Sequence, residues 1–416
     1  MAQDKDLKTP NVPPLRFPGF TDKWKRIKVS ELLDFYSTNS LSWDMLNYDG
    51  GEIKNLHYGL IHSGLPTLVD VSKDSFPFVN EASTPKKYTL CKEGDVAFAD
   101  ASEDTNEVGK VVEFLNTNGE NIISGLHTIH GRDKSDMTVT GFKGYAFSSM
   151  PFHHQIRRIA QGTKIYSIST KTFDEVYIGV PTKDEQAKIA RLLQLLDERI
   201  ATQNKIIEDL KKLKSAISAQ LYEGHYITDN SNGWKIVRLG DITENFSIRN
   251  KNSGSYPMYS VTNTSGFSPQ HEVFEGKEIK DEDISIYKII HKGEFAYNPA
   301  RINVGSIGRY DGEAPCMISS LYVCFRPTAE VDSDWLLYYL QSAKKIYQYG
   351  IFGEGGVRIY LFYPNFSRIE ALLPPLKVQK EIASILKSFN RKIKLDELLL
   401  SKYQEQKKFL LSNMFI

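Results

Sequence analysis

The sequence predicts a mixed α/β (α+β) protein in which two globular α/β domains are joined by two long, antiparallel, coiled-coil-like helices, built as an internal two-fold repeat. Three observations carry this. Pro181-x4-Gln186-x2-Ile189-Ala190-x2-Leu193-x6-Ile200 returns as Pro374-x4-Gln379-x2-Ile382-Ala383-x2-Leu386-x6-Ile393, a constant offset of 193 residues. Each copy opens a stretch whose apolar residues step by four and three, the period of a helix with a coiled-coil seam. Each also closes a longer half in which short β-rich runs alternate with Gly- and Asn-rich turns. The pairs Trp24-Lys25 and Trp234-Lys235, and Val108-Gly109 and Val304-Gly305, extend the match. Their offsets drift from 210 to 196, so the halves share a frame whose filling differs.

In chain order, residues 1–18 carry Pro10, Pro13, Pro14 and Pro18 and read as an extended lead-in, because proline blocks helix. Residues 19–180 form the first α/β domain, with β-rich runs at 110–115, 164–169 and 176–180. A spacer helix follows over 181–224: Ile189, Leu193, Leu196, Ile200, Ile207 and Leu210 make its seam, Pro181 precedes it, and Asp184 and Glu185 suit its positive end. The second α/β domain takes 225–373. The distal helix takes 374–416, with a seam of Ile382, Leu386, Phe389, Ile393, Leu400 and Tyr403. Gln203 and Asp396 occupy the same repeat position, and one polar residue per helix at a common layer is a device for fixing register. At about 1.5 Å per residue, each helix of roughly 40 residues spans about 60 Å and exposes its stripe unless it is paired. Packing the two repeats on each other within one chain is the economical solution; two independent homodimerising coiled coils are the alternative.

Composition is that of a soluble globular chain, 41% hydrophobic and 25% charged over 416 residues, long enough for two or three domains. There is no apolar run of about 18 residues and no signal-peptide pattern at the N-terminus, so a cytoplasmic location is expected. Cys91, Cys316 and Cys324 have neither the spacing nor the even number of a disulfide framework or zinc ribbon. A net charge of +1 means that any nucleic-acid footprint must be local.

Three stretches together resemble a known family. They are the opening Val12-Pro13-Pro14-Leu15-Arg16-Phe17-Pro18-Gly19-Phe20-Thr21-Asp22-Lys23-Trp24, the domain start Gly233-Trp234-Lys235-Ile236-Val237-Arg238-Leu239-Gly240-Asp241-Ile242, and the two Pro-x4-Gln-x2-Ile-Ala-x2-Leu helix openings. In this order, over essentially the whole chain, they resemble the specificity subunits of Type I restriction-modification systems. The resemblance implies a non-catalytic subunit that reads double-stranded DNA, each domain being a target-recognition domain for one half of an interrupted sequence. It implies paired helices that act as spacer and dock two methyltransferase subunits, with Gln186, Ile189, Leu193, Ile200, Gln379, Ile382, Leu386 and Ile393 in the spacer and docking role. It implies no cofactor in this chain: S-adenosylmethionine belongs to the methyltransferase partner, ATP and Mg²⁺ to a restriction (translocase-nuclease) partner, and no membrane is involved. Two departures stand out. The distal helix begins Leu376-Lys377-Val378-Gln379 where the family favours Glu before Gln, and no short tandem repeat follows the first helix. Alternatives are a methylation-only or Type II-like complex, a self-contained methyltransferase or nuclease, and a coiled-coil adaptor that binds no DNA.

Intrinsic chemistry finds little support. Tyr297-Asn298-Pro299-Ala300 is similar to the Asn-Pro-Pro-aromatic loop of adenine methyltransferases but lacks the second proline and the aromatic. It reads instead as a surface loop presenting Asn298, Arg301 and Asn303 to base edges. Gly353-Glu354-Gly355-Gly356-Val357-Arg358 lacks phosphate-loop spacing. Its Gly356-Val357-Arg358-Ile359-Tyr360 does match Gly162-Thr163-Lys164-Ile165-Tyr166, a glycine turn followed by a cation and an aromatic, which puts Lys164 and Arg358 on DNA. His127-x2-His130 and His153-His154 are too sparse for a metal site, and Glu278-Ile279-Lys280 has no companion aspartate. Arg249-Asn250-Lys251-Asn252, with Tyr256, Tyr259 and Asn263, interleaves cations, amides and aromatics as a recognition patch. In the first half Lys110, Arg132, Lys134, Arg157 and Arg158 are the comparable cations.

Half-sites read from one face have centres about 34–36 Å apart, and longer helices permit more. Inserting seven residues into each helix, about 10 Å of rise, should lengthen the unread gap of the target. Mapping the methylated motif of the lengthened protein checks this, and an unchanged gap would remove the spacer role.

Overall fold

Each long helix starts from a glutamine that is bonded on three sides. Gln186 accepts the Val139 N–H at Oε1 (2.9 Å) and donates from Nε2 to the carbonyls of Met137 (3.1 Å) and Pro181 (2.9 Å). Gln379 accepts the Asp332 N–H (2.7 Å) and donates to Glu330 (3.2 Å) and Pro374 (2.8 Å). Both are buried, at 0% and 1% exposure, so each must satisfy its amide internally, and it does so with the loop of its own domain. The repeated Pro-x4-Gln is therefore a joint between domain and helix.

The protein is described here from a computed structural model, over residues 11–223, 233–251, 254–273, 284–356 and 358–416. It forms two compact units, Met1–Asn204 with Leu398–Ile416, and Lys205–Glu397. In the first, strand Lys25–Lys28 pairs antiparallel with Tyr177–Val180, which leads into the central helix Lys183–Glu223. In the second, Lys235–Arg238 pairs in the same way with Glu370–Leu373, ahead of the distal helix Leu376–Asn413. The register is also shared, Lys25 opposite Val180 and Lys235 opposite Leu373.

The main sheets repeat as well. The first unit orders its strands Leu33–Tyr36, Thr128–Asp133, Val96–Ala99, Val111–Asn116 and Leu68–Asp70, the last added in parallel. The second orders Thr243–Phe246, Val323–Pro327, Phe295–Tyr297 and Ile307–Arg309. Four strands are common; a four-stranded sheet of Leu46–Asn47, Lys54–Leu56, Phe78–Val79 and Ile122–Ser124 belongs to the first unit, and a hairpin of Tyr259–Thr262 with Gly266–Pro269 to the second. Frame and filling thus separate at the level of strands.

The seam residues close the cores. Ile189, Ala190, Leu193 and Leu196 are buried with Phe142, Tyr145, Leu410, Met414 and Phe415 in the first unit, and Ile200 packs on that cluster. Ile382, Ala383 and Leu386 are buried with Trp335, Tyr339 and Tyr222 in the second, and Ile393 is buried too. The eight side chains expected in the spacer and docking role are thus turned inward within this chain: Gln186 and Gln379 bond their own domain loops, Ile189, Leu193, Ile382 and Leu386 lie in their own cores, Ile200 packs on its core, and Ile393 is buried. The helix segments run antiparallel in the first unit, where Asp197 meets Lys407 (2.6 Å) and Arg199 lies over the Tyr403 ring (5.4 Å). In the second, Lys211 pairs with Glu397 (2.7 Å). Gln203 and Asp396 are both buried, each in its own unit. Among the described residues no helix is long and apolar enough to cross a membrane.

The lead-in, from residue 11 onward, is pinned to the first unit. Trp24 N–H bonds Asn11 O (2.8 Å), Leu15 N–H bonds Asn413 O (2.9 Å), and Arg16 grips the fully buried Glu185 with two bonds of 2.6 and 2.7 Å. Glu185 stands before Gln186 because Arg16 needs it there; Val378 in the same repeat position is partly buried against the apolar core of its unit. Residues 1–10 lie outside the described residues.

Replacing Gln186 or Gln379 with Ala leaves a backbone N–H and two carbonyls short of partners inside a core. Each change should cost about 1–3 kcal/mol, seen as a lower denaturant midpoint. Wild-type midpoints in both would show that the joint does not depend on the amide.

Candidate nucleic-acid interface

One backbone hydrogen bond marks the same corner in both units. Ile168 N–H donates to Asp100 O (2.8 Å), and Leu361 N–H, 193 positions later, donates to Pro299 O (2.9 Å). Asp100 and Pro299 each follow a central strand and open the loop that returns at Val108-Gly109 or Val304-Gly305. Loop and late turn are thereby tied together in each unit, and their side chains form a rim.

In the second unit the rim loop is tight. Asn298 Oδ1 accepts the Ala300 N–H (3.0 Å), Asn298 O accepts Arg301 N–H (3.0 Å), and Arg301 O accepts Ser306 N–H (3.1 Å). The hairpin Tyr259–Pro269 docks on it: Ser306 Oγ donates to Val261 O (2.6 Å), and Asn263 lies 3.8 Å from where a β-carbon on Gly305 would stand. Arg301, Asn263 and Arg358 are exposed; Asn298 and Asn303 are partly buried. Arg301 and Arg358 form no ion pair among the described residues, so their donors remain available. The expected patch at 249–251 sits on another segment, where Arg249 pairs through its backbone with Lys288. Arg249 and Lys251 are exposed, but Asn250 is 2% exposed and its amide bonds both the N–H and O of Gly254 (2.9 Å each). Asn250 closes a turn and cannot reach a base, which corrects its assignment. Asn252 and Glu278-Ile279-Lys280 lie outside the described residues.

In the first unit Lys164 and Arg158 are exposed. Arg157, on the helix Met150–Ile159, donates to Asn106 Oδ1 (2.9 Å), and Lys110 pairs with Glu107 (2.9 Å), so both are engaged by the rim loop. Arg132 and Lys134 do not. Thr128 lies beside Ala99 at the rim, whereas Arg132 and Lys134 stand at the other end of that strand, where Lys134 donates to Ser30 O (2.8 Å). Arg132 clamps the buried Asp95 through Nε and Nη2 (2.7 Å each) and lies over the Tyr36 ring (4.7 Å). The second unit repeats this trio with Arg326, Glu294 (3.2 Å) and Phe246 (4.7 Å). Arg132 is a strut of the shared frame, and its place among the DNA contacts is corrected. Burial works to raise the Asp95 carboxyl, but Arg132, His130 (2.7 Å) and the Lys92 N–H hold it below the usual carboxylate range. The stability this group contributes is present above its unfolded value, near pH 4, and is lost as pH falls through the lower folded value.

The glycine turns also need a correction. Gly162 (φ 135°) and Gly355 (φ 118°) are the equivalent residues, because a β-carbon on either would collide with the carbonyl oxygen three residues on, Ile165 or Arg358. The flanking bridges agree: Gln161 pairs with Ser167, and Glu354 with Tyr360. Arg358 therefore stands where the first unit has Ile165, one residue away from the expected match with Lys164, whose counterpart Val357 lies outside the described residues.

Among the described residues no group of three or more His, Cys, Asp or Glu side chains could hold a metal. A sequence model described as the Type I restriction modification DNA specificity domain matches residues 21–212 and again 231–402. The chain belongs to this family. It is 23% identical over 353 residues to the putative type I restriction enzyme MjaX specificity subunit of Methanocaldococcus jannaschii, covering 79% of this chain and 78% of that protein. It is 24% identical over 351 residues to the putative specificity subunit S.HindORF215P of Haemophilus influenzae, covering 75% and 84%. Its fold matches the crystal structure of the Type I restriction-modification S subunit from M. genitalium with a TM-score of 0.57, 17% identity, and coverage of 97% and 99%. A second match (TM-score 0.55, 16% identity, coverage of 96% and 98%) comes from a structure titled for complex assembly and conformational transition of the type I R-M system.

A specificity subunit with this frame separates the roles of its arginines. Arg132→Met leaves Asp95 in the core with His130 and the Lys92 N–H as its remaining hydrogen-bond partners and should cost about 3 kcal/mol. Arg326→Met, on a more exposed pair, should cost under about 1 kcal/mol. Thermal unfolding measures both, and a changed DNA motif in a well-folded Arg132→Met protein would return that residue to the readers.

Proposed function

We propose that this specificity subunit recognises a bipartite double-stranded DNA target, each domain reading one half, and that it catalyses nothing itself. The observation that carries the reading is the rim: the same backbone bond holds it in both units, yet the side chains on it differ. A scaffold that preserves position while changing chemistry suits the reading of two different sequences.

In this reading the exposed guanidinium of Arg301, flanked by Asn298, Asn303 and Asn263, reads base edges, at about 1–3 kcal/mol of discrimination per good bidentate contact. Lys164, Arg158, Arg358, Arg249 and Lys251 neutralise phosphates and set orientation. A net charge of +1 is consistent with partners that supply part of that neutralisation. Two methyltransferase subunits dock on the outer faces of the helices, bring S-adenosylmethionine and methylate adenine. Restriction subunits bring ATP and Mg²⁺, and the complex works in the cytoplasm. Unpartnered large apolar groups on the helices, such as Leu195, Leu213 and Phe409, support docking there.

Co-expression with a methyltransferase subunit, followed by mapping of N6-methyladenine, should reveal a two-part motif that is absent when either protein is omitted. Arg301→Ala should relax one half of it. Lys164→Ala should weaken binding about uniformly across sequences and lower the salt slope by about 1. No new methylation from a stable complex would reject the reading.

A further inference from the structure

The rim of the first domain is built from the opposite hydrogen-bonding character to that of the second. Where the second has Pro299, Arg301 and Asn303, the first has Asp100 and a loop carrying Glu103, Asp104 and Glu107. Its two rim cations near that loop, Lys110 and Arg157, are already bonded to Glu107 and Asn106. A guanidinium reader is thus missing at this corner. Three other side chains converge on it.

His127 follows the Gly125-Leu126 turn and holds φ at 53°, a left-handed conformation uncommon for residues other than glycine. Its carbonyl accepts the Asp100 N–H (3.1 Å) and its Nδ1 lies 3.2 Å from Asp100 Oδ1. The side chain is 51% exposed. His62, on the short helix Tyr58–Ser63, places Nε2 3.1 Å from Ala101 O and Nδ1 3.7 Å from Glu107. Tyr58 stands between the two, its ring edge-on to His62 (5.9 Å) and His127 (5.2 Å) and backed by His57 (4.7 Å), which in turn packs on the exposed Trp43 (4.3 Å). The strained backbone and the aromatic buttress hold both imidazoles in fixed places.

The partners also orient the rings. His127 turns Nδ1 to Asp100, which leaves Nε2 as the ring nitrogen not engaged there and an acceptor in that tautomer, whereas His62 turns Nε2 to the Ala101 carbonyl and Nδ1 towards Glu107. Together with the Asp100 carboxylate, the corner becomes a cluster of acceptors. In the major groove the groups that donate are the exocyclic amines, N6 of adenine and N4 of cytosine, whereas guanine and thymine offer acceptors. The second domain, with the exposed guanidinium of Arg301 on its rim, offers donors and suits guanine.

We propose that His127, His62 and Tyr58, gathered at the Asp100–Ala101 corner, are specificity-determining residues of the first domain and read exocyclic amino groups of adenine or cytosine in its half of a double-stranded target. This rests on the reading of each domain as a half-site reader. Nothing at the repeat level marks these residues, because their side chains are not repeated: the shared strand that follows His127 in the first half follows Leu321 in the second.

The test is the methylated motif of the co-expressed complex, compared among wild type, His127→Asn, His62→Gln and Arg301→Ala. Asn accepts the left-handed backbone of position 127, and His62→Gln leaves that strained position untouched. His127→Asn or His62→Gln should lower the preference for adenine or cytosine about tenfold at one position of one half-site, leaving the other half and the gap intact. Arg301→Ala should alter the opposite half. The retained half reports that the variant protein is folded and assembled. An unaltered motif in both histidine variants overturns the proposal while the two-part reading stands. A wild-type protein that directs no two-part motif overturns that reading and this one with it.

Discussion

The buried amide at the head of each helix is the constraint from which the rest of the architecture follows. A glutamine in a core must place its acceptor and both donor hydrogens, and Gln186 and Gln379 do so on three backbone groups contributed by the domain loop and the preceding proline. That geometry fixes where the helix leaves the domain and which face it turns inward. Ile189 and Leu193, or Ile382 and Leu386, then enter the core because they lie three or four residues further along the same face. Proline at the start of the motif, glutamine five residues later and the apolar seam are one device, which explains why they recur together.

The same logic sorts the remaining repeated features. Each is a place where physics leaves little choice: a glycine whose β-carbon would strike a carbonyl, an arginine holding a buried carboxylate against an aromatic ring, a backbone bond that closes a corner. Positions between these fixed points are free to change. The first unit uses that freedom for an additional four-stranded sheet and a histidine corner, the second for a docked hairpin and an arginine loop. Because the rim is held by backbone bonds, its side chains can be exchanged without disturbing the sheet beneath.

What was legible in the sequence divides along the same line. The helices, their seams and the domain order were readable because helical period and proline-glutamine spacing are local signals. Arg132 misled because its partner Asp95 is 37 residues away, and only strand register brings them together. Asn250 misled because an amide that closes a turn looks, in a string, like an amide that reads a base. The pairing of Lys164 with Arg358 slipped by one residue because Gly355-Gly356 offers two glycines and only backbone conformation tells which is required. The Glu185 and Val378 difference was visible at once, yet its cause, Arg16, is 169 residues away from Glu185.

A near-zero net charge and a DNA-reading surface are compatible for a reason that the ion pairs make concrete. Lys110 and Arg132 are held by carboxylates, as are Arg16, Lys211, Arg309 and Lys407 elsewhere in the molecule. Part of the charge that a composition count records is therefore engaged in ion pairs within the chain. The rim of the second unit differs in carrying cations that are exposed and form no ion pair among the described residues, Arg301 and Arg358. Around Asp100 carboxylates dominate the rim instead, and its cations Lys110 and Arg157 are bonded to Glu107 and Asn106. The two halves of this protein thus carry rims of different electrostatics, set by local bonding geometry more than by total charge.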